Sequence, residues 1–184
     1  TTTPSLFITP NIISELTISN KVIEKSFSLE NSAENINITN LIVNVSDTLK
    51  NIVSITSKPT FIQAKSKSEV KIRISTATLS EGRYVGTIDF FSQVGNAQAT
   101  INIEIVGDLS SKAQEKLDEL LTLEQNITDL QKRWVNVTEA LDLFNETKVL
   151  LDNIKTDFES ENYSSARTKL GEAETKISQL RSMI

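Results

Sequence analysis

Asn-x-Ser/Thr triplets begin at Asn37, Asn44, Asn126, Asn136, Asn145 and Asn162. In such a triplet the Asn amide nitrogen can accept an oligosaccharide, a modification that marks a surface segment of an exported protein. With 15 Asn and 41 Ser or Thr in 184 residues, chance supplies about three triplets, and in the C-terminal part four of the five Asn begin one. Helix capping competes as an explanation. Asn136, with Glu139 three positions on, and Asn162, just before the last apolar stripe, both stand where a side-chain cap is expected. Asn126 and Asn145 fall inside helical periodicity, near its exposed faces, where Asn is a neutral to unfavourable choice. The pattern therefore favours a glycan on at least one of the six and a location at the cell surface.

Other chemistry is poorly supplied. The chain has no cysteine, hence no disulfide, thiolate zinc site or cysteine nucleophile, and no histidine, the commonest general base and metal ligand. No calcium-loop or glycine-rich phosphate-loop spacing occurs. Asp118 and Glu119, and Glu159 with Glu161, read as solvated helix surface. The expectation is a protein with no catalytic residues, no metal and no cofactor, and not an enzyme. Up to Val106 basic and acidic residues balance at nine each; beyond it ten basic residues face fifteen acidic ones, so the C-terminal half carries the whole net charge of −5. An acidic half of this kind argues against nucleic acid as a partner. No apolar run reaches the length of a membrane span, and "TTTPSLFITP" has neither the basic nor the apolar region of a signal peptide. A mature or trimmed N-terminus would look like this, and so would a chain that was never exported; the expectation is an ectodomain tied to a membrane only through an anchor outside this chain.

These residues must be held by two kinds of structure. Up to Val106, apolar residues alternate with polar ones. Val70, Ile72 and Ile74 take one side of a strand and Lys71, Arg73 and Ser75 the other. Strands are expected near 5–9, 15–19, 22–30, 39–47, 52–56, 69–76, 83–92 and 97–106, with "SQVGNA" as a hairpin turn in which Gly95 and Asn96 take positive φ. Eight short strands without helices predict an antiparallel β-sandwich over 1–106. From 109 to 184 the apolar spacing becomes three and four, predicting helices over about 109–133, 137–160 and 163–184 in an antiparallel three-helix bundle. Asp108 or Ser111 can cap the first of them, Ser111 with Gln114 as a capping box. Because Leu120, Leu123, Ile127, Leu130, Trp134, Val137, Leu141 and Phe144 stay nearly in phase, one long helix in a coiled coil is the alternative. Self-association through the stripe over 170–177 would favour a structural role. Trp134, the sole Trp, reads mainly as filler for the end of the bundle and otherwise as a partner contact. Phe7, Phe27, Phe61, Phe90 and Phe91 are assigned mostly to the core, with Phe90 and Phe91 on opposite faces of their strand.

The stretch "LSEGRYVGTIDFFS", after "AKSKSEVKIRIST", resembles the end of the Ig-like sandwich domain associated with alpha-galactosidases and carbohydrate-binding modules, found in archaeal and bacterial surface proteins. Gly82, Tyr84 and Gly86 match its Gly turn and Tyr-x-Gly pattern, Glu81 stands where that family usually has Pro, and "SFSLENSAENINITNLIVNVS" resembles its second and third strands. The helical half, with "ENYSSARTKLGEAE", resembles appendages that follow such sandwiches in archaeal surface proteins and lead toward a membrane anchor. The resemblance implies a structural role for Tyr84, comparable to a tyrosine corner. It also implies a non-enzymatic stalk or spacer of a membrane-anchored surface protein, with protein partners or self-association. The second expectation is an accessory module that binds a glycan or another protein.

Overall fold

The computed structural model describes residues 5–184, which divide into two compact units between Val106 and Gly107. The first holds β1 (Leu6–Thr9), β2 (Ile12–Thr17), β3 (Val22–Asn31), β4 (Ile42–Val45), β5 (Val53–Ser57), β6 (Ser66–Ser75), β7 (Gly82–Ser92) and β8 (Gly95–Ile105). They form two four-stranded sheets, β1-β3-β6-β5 and β2-β8-β7-β4. Period two builds both inner faces: Val70, Ile72 and Ile74 of β6 and Ile101, Ile103 and Ile105 of β8 are buried, while the residues between them are not. The outer face of the first sheet carries ion pairs across strands, Lys67 with Glu30 and Arg73 with Glu24.

One pairing departs from the antiparallel expectation. β1 runs antiparallel to β3, the chain passes the cis peptide between Thr9 and Pro10, and β2 continues in the second sheet parallel to β8. Only two residues separate β1 from β2, so β2 keeps the direction that β3 imposes on β1. The strand expected at 15–19 accordingly begins at Ile12.

Two buried polar side chains close the ends. Asn31 Nδ2 donates to the carbonyl of Ile36 at 2.8 Å and to those of Ile62 and Gln63 at 3.3 Å, beside the single bridge of Ile38 with Ile62 that joins the two connections. Thr76 Oγ1 donates to the Ile18 carbonyl at 2.8 Å and accepts from Lys21 N at 2.9 Å, fixing the turn between β2 and β3.

The Tyr-x-Gly pattern has a local cause. Tyr84 Oη donates to the Ser80 carbonyl at 3.1 Å, tying the start of β7 to the loop before it. Gly86 lies where residues 46–49 dock: Ser46 N donates to the Thr87 carbonyl at 2.9 Å, Thr87 N donates to Ser46 Oγ at 3.0 Å, and Thr48 Oγ1 donates to the Val85 carbonyl at 3.0 Å. A Cβ at Gly86 would press on both hydroxyls and lie 2.6 Å from Leu49 Cγ. The next hairpin differs from its expected form. Its turn is Gln93 and Val94, Gly95 alone takes positive φ, and Asn96 is already paired with Phe91, because a two-residue turn lets the ladder resume at Gly95.

The second unit has α1 (Leu109–Lys132), α2 (Thr138–Glu159) and α3 (Tyr163–Met183), each in contact with the other two. Leu120, Leu123 and Ile127 of α1, Phe144, Leu151 and Ile154 of α2, and Ala166, Leu170, Ala173, Ile177 and Leu180 of α3 form the shared interior. The stripe over 170–177 is thus consumed within the chain and is not offered to a second copy. Asp108 caps α1, accepting from Ser111 N at 3.0 Å and Ser111 Oγ at 2.6 Å. Ser111 is therefore a donor inside the first turn, and Gln114 turns to Asp118 instead of forming the capping box.

The long-helix alternative fails at Trp134. Its φ is +63°, Trp134 N donates to the Gln131 carbonyl at 3.0 Å, and Val135 N donates to the Leu130 carbonyl at 3.2 Å. These are the paired bonds of a Schellman motif, which closes a helix on a residue in the left-handed region. α2 ends the same way, with Glu161 at φ +60°, Glu161 N on the Phe158 carbonyl and Asn162 N on the Asp157 carbonyl. The N-cap of α2 is Val137, whose side chain is buried; Asn136 stands one residue earlier than expected, its Oδ1 accepting from Thr138 N at 3.1 Å.

Gly86→Ala is expected to destabilise the protein by about 1–3 kcal/mol, the usual range for an over-packed site, read as a lower urea midpoint. Glu161→Gly should do the reverse for the helices. It relieves a left-handed residue of a strain of about 1–2 kcal/mol, partly offset by a more flexible unfolded chain, and should raise the thermal midpoint followed by far-ultraviolet circular dichroism.

Candidate functional site

All six triplet asparagines are exposed. They differ in what the third residue of the triplet does. Thr128 Oγ1 donates to the Glu124 carbonyl at 2.9 Å on the flank of α1, and Ser46 Oγ is engaged with Thr87 N. Thr138 Oγ1 donates to Asn136 Oδ1 itself at 2.9 Å. Thr147 is fully buried in α2, and its hydroxyl donates to the Leu143 carbonyl at 2.6 Å. The triplet at Asn145 therefore has its amide outside and its hydroxyl inside. Asn37 Oδ1 accepts from Ala64 N at 2.8 Å, Asn44 lies on β4 opposite Asp89, and Asn162 caps α3 through Ser165 N at 3.3 Å.

Trp134 does not fill the end of the helices. It is 97% exposed. The first residue past the C-cap projects away from the helix it terminates, and Val137, three residues on, supplies the buried apolar side chain there. The phenylalanines depart from expectation at Phe7 and Phe61, while Phe91 is the exposed member of the pair with Phe90. Phe27 and Phe90 are core, whereas Phe7, Phe61 and Phe91 are 49%, 52% and 37% exposed. Phe91 pairs in register with Ile42, also exposed, so one apolar spot lies on the outer face of the second sheet. A face of period two is apolar or not by sequence; whether anything covers it is decided elsewhere in the fold.

The carboxylates with the most definite environments sit at helix ends. Asp157 Oδ2 accepts from Lys169 Nζ and Ser165 Oγ, each at 2.6 Å, and these bonds, Lys169 first, hold its pKa below the ordinary carboxylate value. Asp108 is lowered by the side chain and then the backbone N–H of Ser111. Glu119 is not the solvated surface residue its position suggested. It is half-buried between Lys116 of α1 and Arg181 of α3 and ties those helices together. Among the described residues no three His, Cys, Asp or Glu are grouped to hold a metal, and no helix is long and apolar enough to cross a membrane. The concavities on the helices are open troughs. One of about 490 Å³ between α2 and α3 is lined by Asn145, Val149, Leu150, Glu172 and Lys176 and gathers no set of reactive groups.

The class these features define is a β-sandwich followed by three helices, with the six triplet asparagines and scattered aromatic side chains on its surface. No protein-family model matches the chain, and no curated protein does. Among solved structures it is similar to a family 123 glycoside hydrolase from Clostridium perfringens, with 12% identity over 53% of this chain and 23% of that one and a TM-score of 0.44. It is also similar to PapD-like domain 7 of human CEP192 (11% identity, 56% of this chain, 86% of that one, TM-score 0.44) and to the SrpA adhesin of Streptococcus sanguinis (16%, 58% of each chain, TM-score 0.42). The chain spans less than a quarter of the hydrolase's length, and likenesses this distant carry no functional information.

Because the folded pKa of Asp157 is depressed, its tie to Lys169 and Ser165 contributes stability that is complete above the ordinary value of 3.8 and is lost as pH falls through the folded value. Asp108 has the same sign. The thermal midpoint should therefore drop on acidification below about pH 4. Asp157→Asn should show part of that loss already at neutral pH and a flatter dependence below it, as measured by melting curves from neutral to acid pH.

Proposed function

We propose that this chain is a non-enzymatic extracellular module, a stalk, spacer or assembly element of a cell-surface glycoprotein of archaeal type, held to its membrane by an anchor outside the chain. The observation that carries this reading is the exposure of all six acceptor asparagines, two of which, Asn126 and Asn145, sit mid-helix where Asn is otherwise a weak choice. The Ig-like assignment of the sandwich is supported by its strand order. Taken in chain order, with β1 and β2 as a divided first strand, the sheets follow the A-B-E-D and C-F-G arrangement, and the bond from Tyr84 Oη to the Ser80 carbonyl is that of a tyrosine corner. The links 133–137 and 160–162 are short enough to favour antiparallel neighbours, which supports a three-helix bundle.

A second reading, an accessory module that binds a glycan or a protein partner, is favoured by the exposed Phe7, Phe61 and Phe91 with Ile42 beside Phe91. Glycopeptide mass spectrometry on the protein from its native cells tests the first reading. A glycan on at least one of Asn37, Asn44, Asn126, Asn136, Asn145 and Asn162 is expected; six bare asparagines would remove its basis.

A further inference from the structure

Trp134 stands where the rules of local structure speak against it. The residue after the C-cap of α1 has φ +63°, a region that strains a bulky side chain, and with its indole 97% exposed no burial within the chain compensates. Glycine would close the same motif without strain. The two backbone bonds of the turn hold the strained residue, but nothing inside the polypeptide covers its large apolar side chain, and that combination points to a contact with something outside it.

Two residues later comes Asn136. Its Oδ1 accepts from both Thr138 N at 3.1 Å and Thr138 Oγ1 at 2.9 Å, an Asx turn that holds the acceptor and the hydroxyl of the triplet against each other on the surface. Its Nδ2 makes no hydrogen bond among the described residues. Asn136 thus differs from Asn145, whose hydroxyl partner Thr147 is locked inside the helices once the chain has folded. Two residues of chain span at most about 7 Å, so the backbones of Trp134 and Asn136 share one short turn between α1 and α2.

We propose that Asn136 carries an N-linked glycan and that Trp134 is the platform on which its first sugar rests, a proposal that rests on the surface-glycoprotein reading above. In the transfer, Asn136 Nδ2 forms a bond to C1 of an oligosaccharide activated on a polyprenyl phosphate or diphosphate. The C1–O bond breaks, the lipid phosphate leaves with the bonding pair, and the amide proton passes to a base of the transferase. No change of oxidation state is involved. The C–H face of the attached pyranose, weakly positive, then meets the negative π face of the indole. This contact supplies the apolar cover that the polypeptide does not, and it accounts for a Trp at a position suited to Gly.

Trp134 is the sole Trp of the chain, so its fluorescence reports this spot alone. Three forms from the native cells are compared by acrylamide quenching and glycopeptide mass spectrometry: the protein as isolated, the same protein after deglycosylation, and Thr138→Ala, which destroys the triplet and leaves Trp134 and Asn136 in place. The expected result is a glycan on Asn136 and quenching weakened about twofold or more in the native form alone, the population shift a stacking contact would give. Glycosylated Asn136 with strong quenching in all three forms overturns the platform, and weak quenching in all three overturns it in favour of a protein contact at Trp134. Bare Asn136 beside a glycan on another triplet overturns the inference but leaves the surface reading standing. Six bare triplets overturn both.

Discussion

Between the two sheets Phe27 and Phe90 meet edge to face, with ring centres 5.9 Å apart, and Ile72, Ile74, Ile88, Ile101 and Ile103 close around them with no accessible surface. Burying one such side chain fully stabilises by about 1.5–3 kcal/mol, while an exposed ion pair contributes about 0–1. In a chain with no cysteine the strands are held by this burial, and everything else in the sandwich accommodates it. Asn31 and Thr76 are buried because backbone groups at the margins of the apolar interior need partners. Gly86 is small because residues 46–49 must lie close against β7.

What could be read from sequence follows from the same physics. β6 was legible because Val70, Ile72 and Ile74 alternate with charged residues, and α3 because its apolar stripe has a single phase. β2 was placed late because its start lies two residues beyond a strand that changes sheets, and no local period records such a change. Phe7 and Phe61 read as core in the sequence because an aromatic residue gives no sign of whether its face is covered, whereas the opposite facing of Phe90 and Phe91 is legible from period two. Glu119 was assigned outward because its partner Arg181 is distant in sequence. Of the candidate site, the Asn-x-Ser/Thr triplets were fully legible, but their differences were not. Thr147 and Thr138 have the same place in the same motif, and only packing puts one inside and the other in an Asx turn.

The helical unit is defined by its interruptions. Trp134 and Glu161 close α1 and α2 in the left-handed region without help from glycine, so the bonds to Leu130, Gln131, Asp157 and Phe158 carry the two turns. The apolar phase that runs on past Trp134 is not an error in the pattern. Val137 continues the buried face after the turn, and Trp134 is what the turn expels.

The outer face of the first sheet has a consequence of its own. Lys67 with Glu30, Lys71 with Glu69 and Arg73 with Glu24 are all open to water, and the sandwich half of the chain is balanced at nine charges of each sign. Dissolved ions screen such pairs, to within about 3 Å in molar salt. With its side-chain charges balanced and these pairs open to water, the sandwich owes little of its hold to attraction between charges, and added salt has little there to take away.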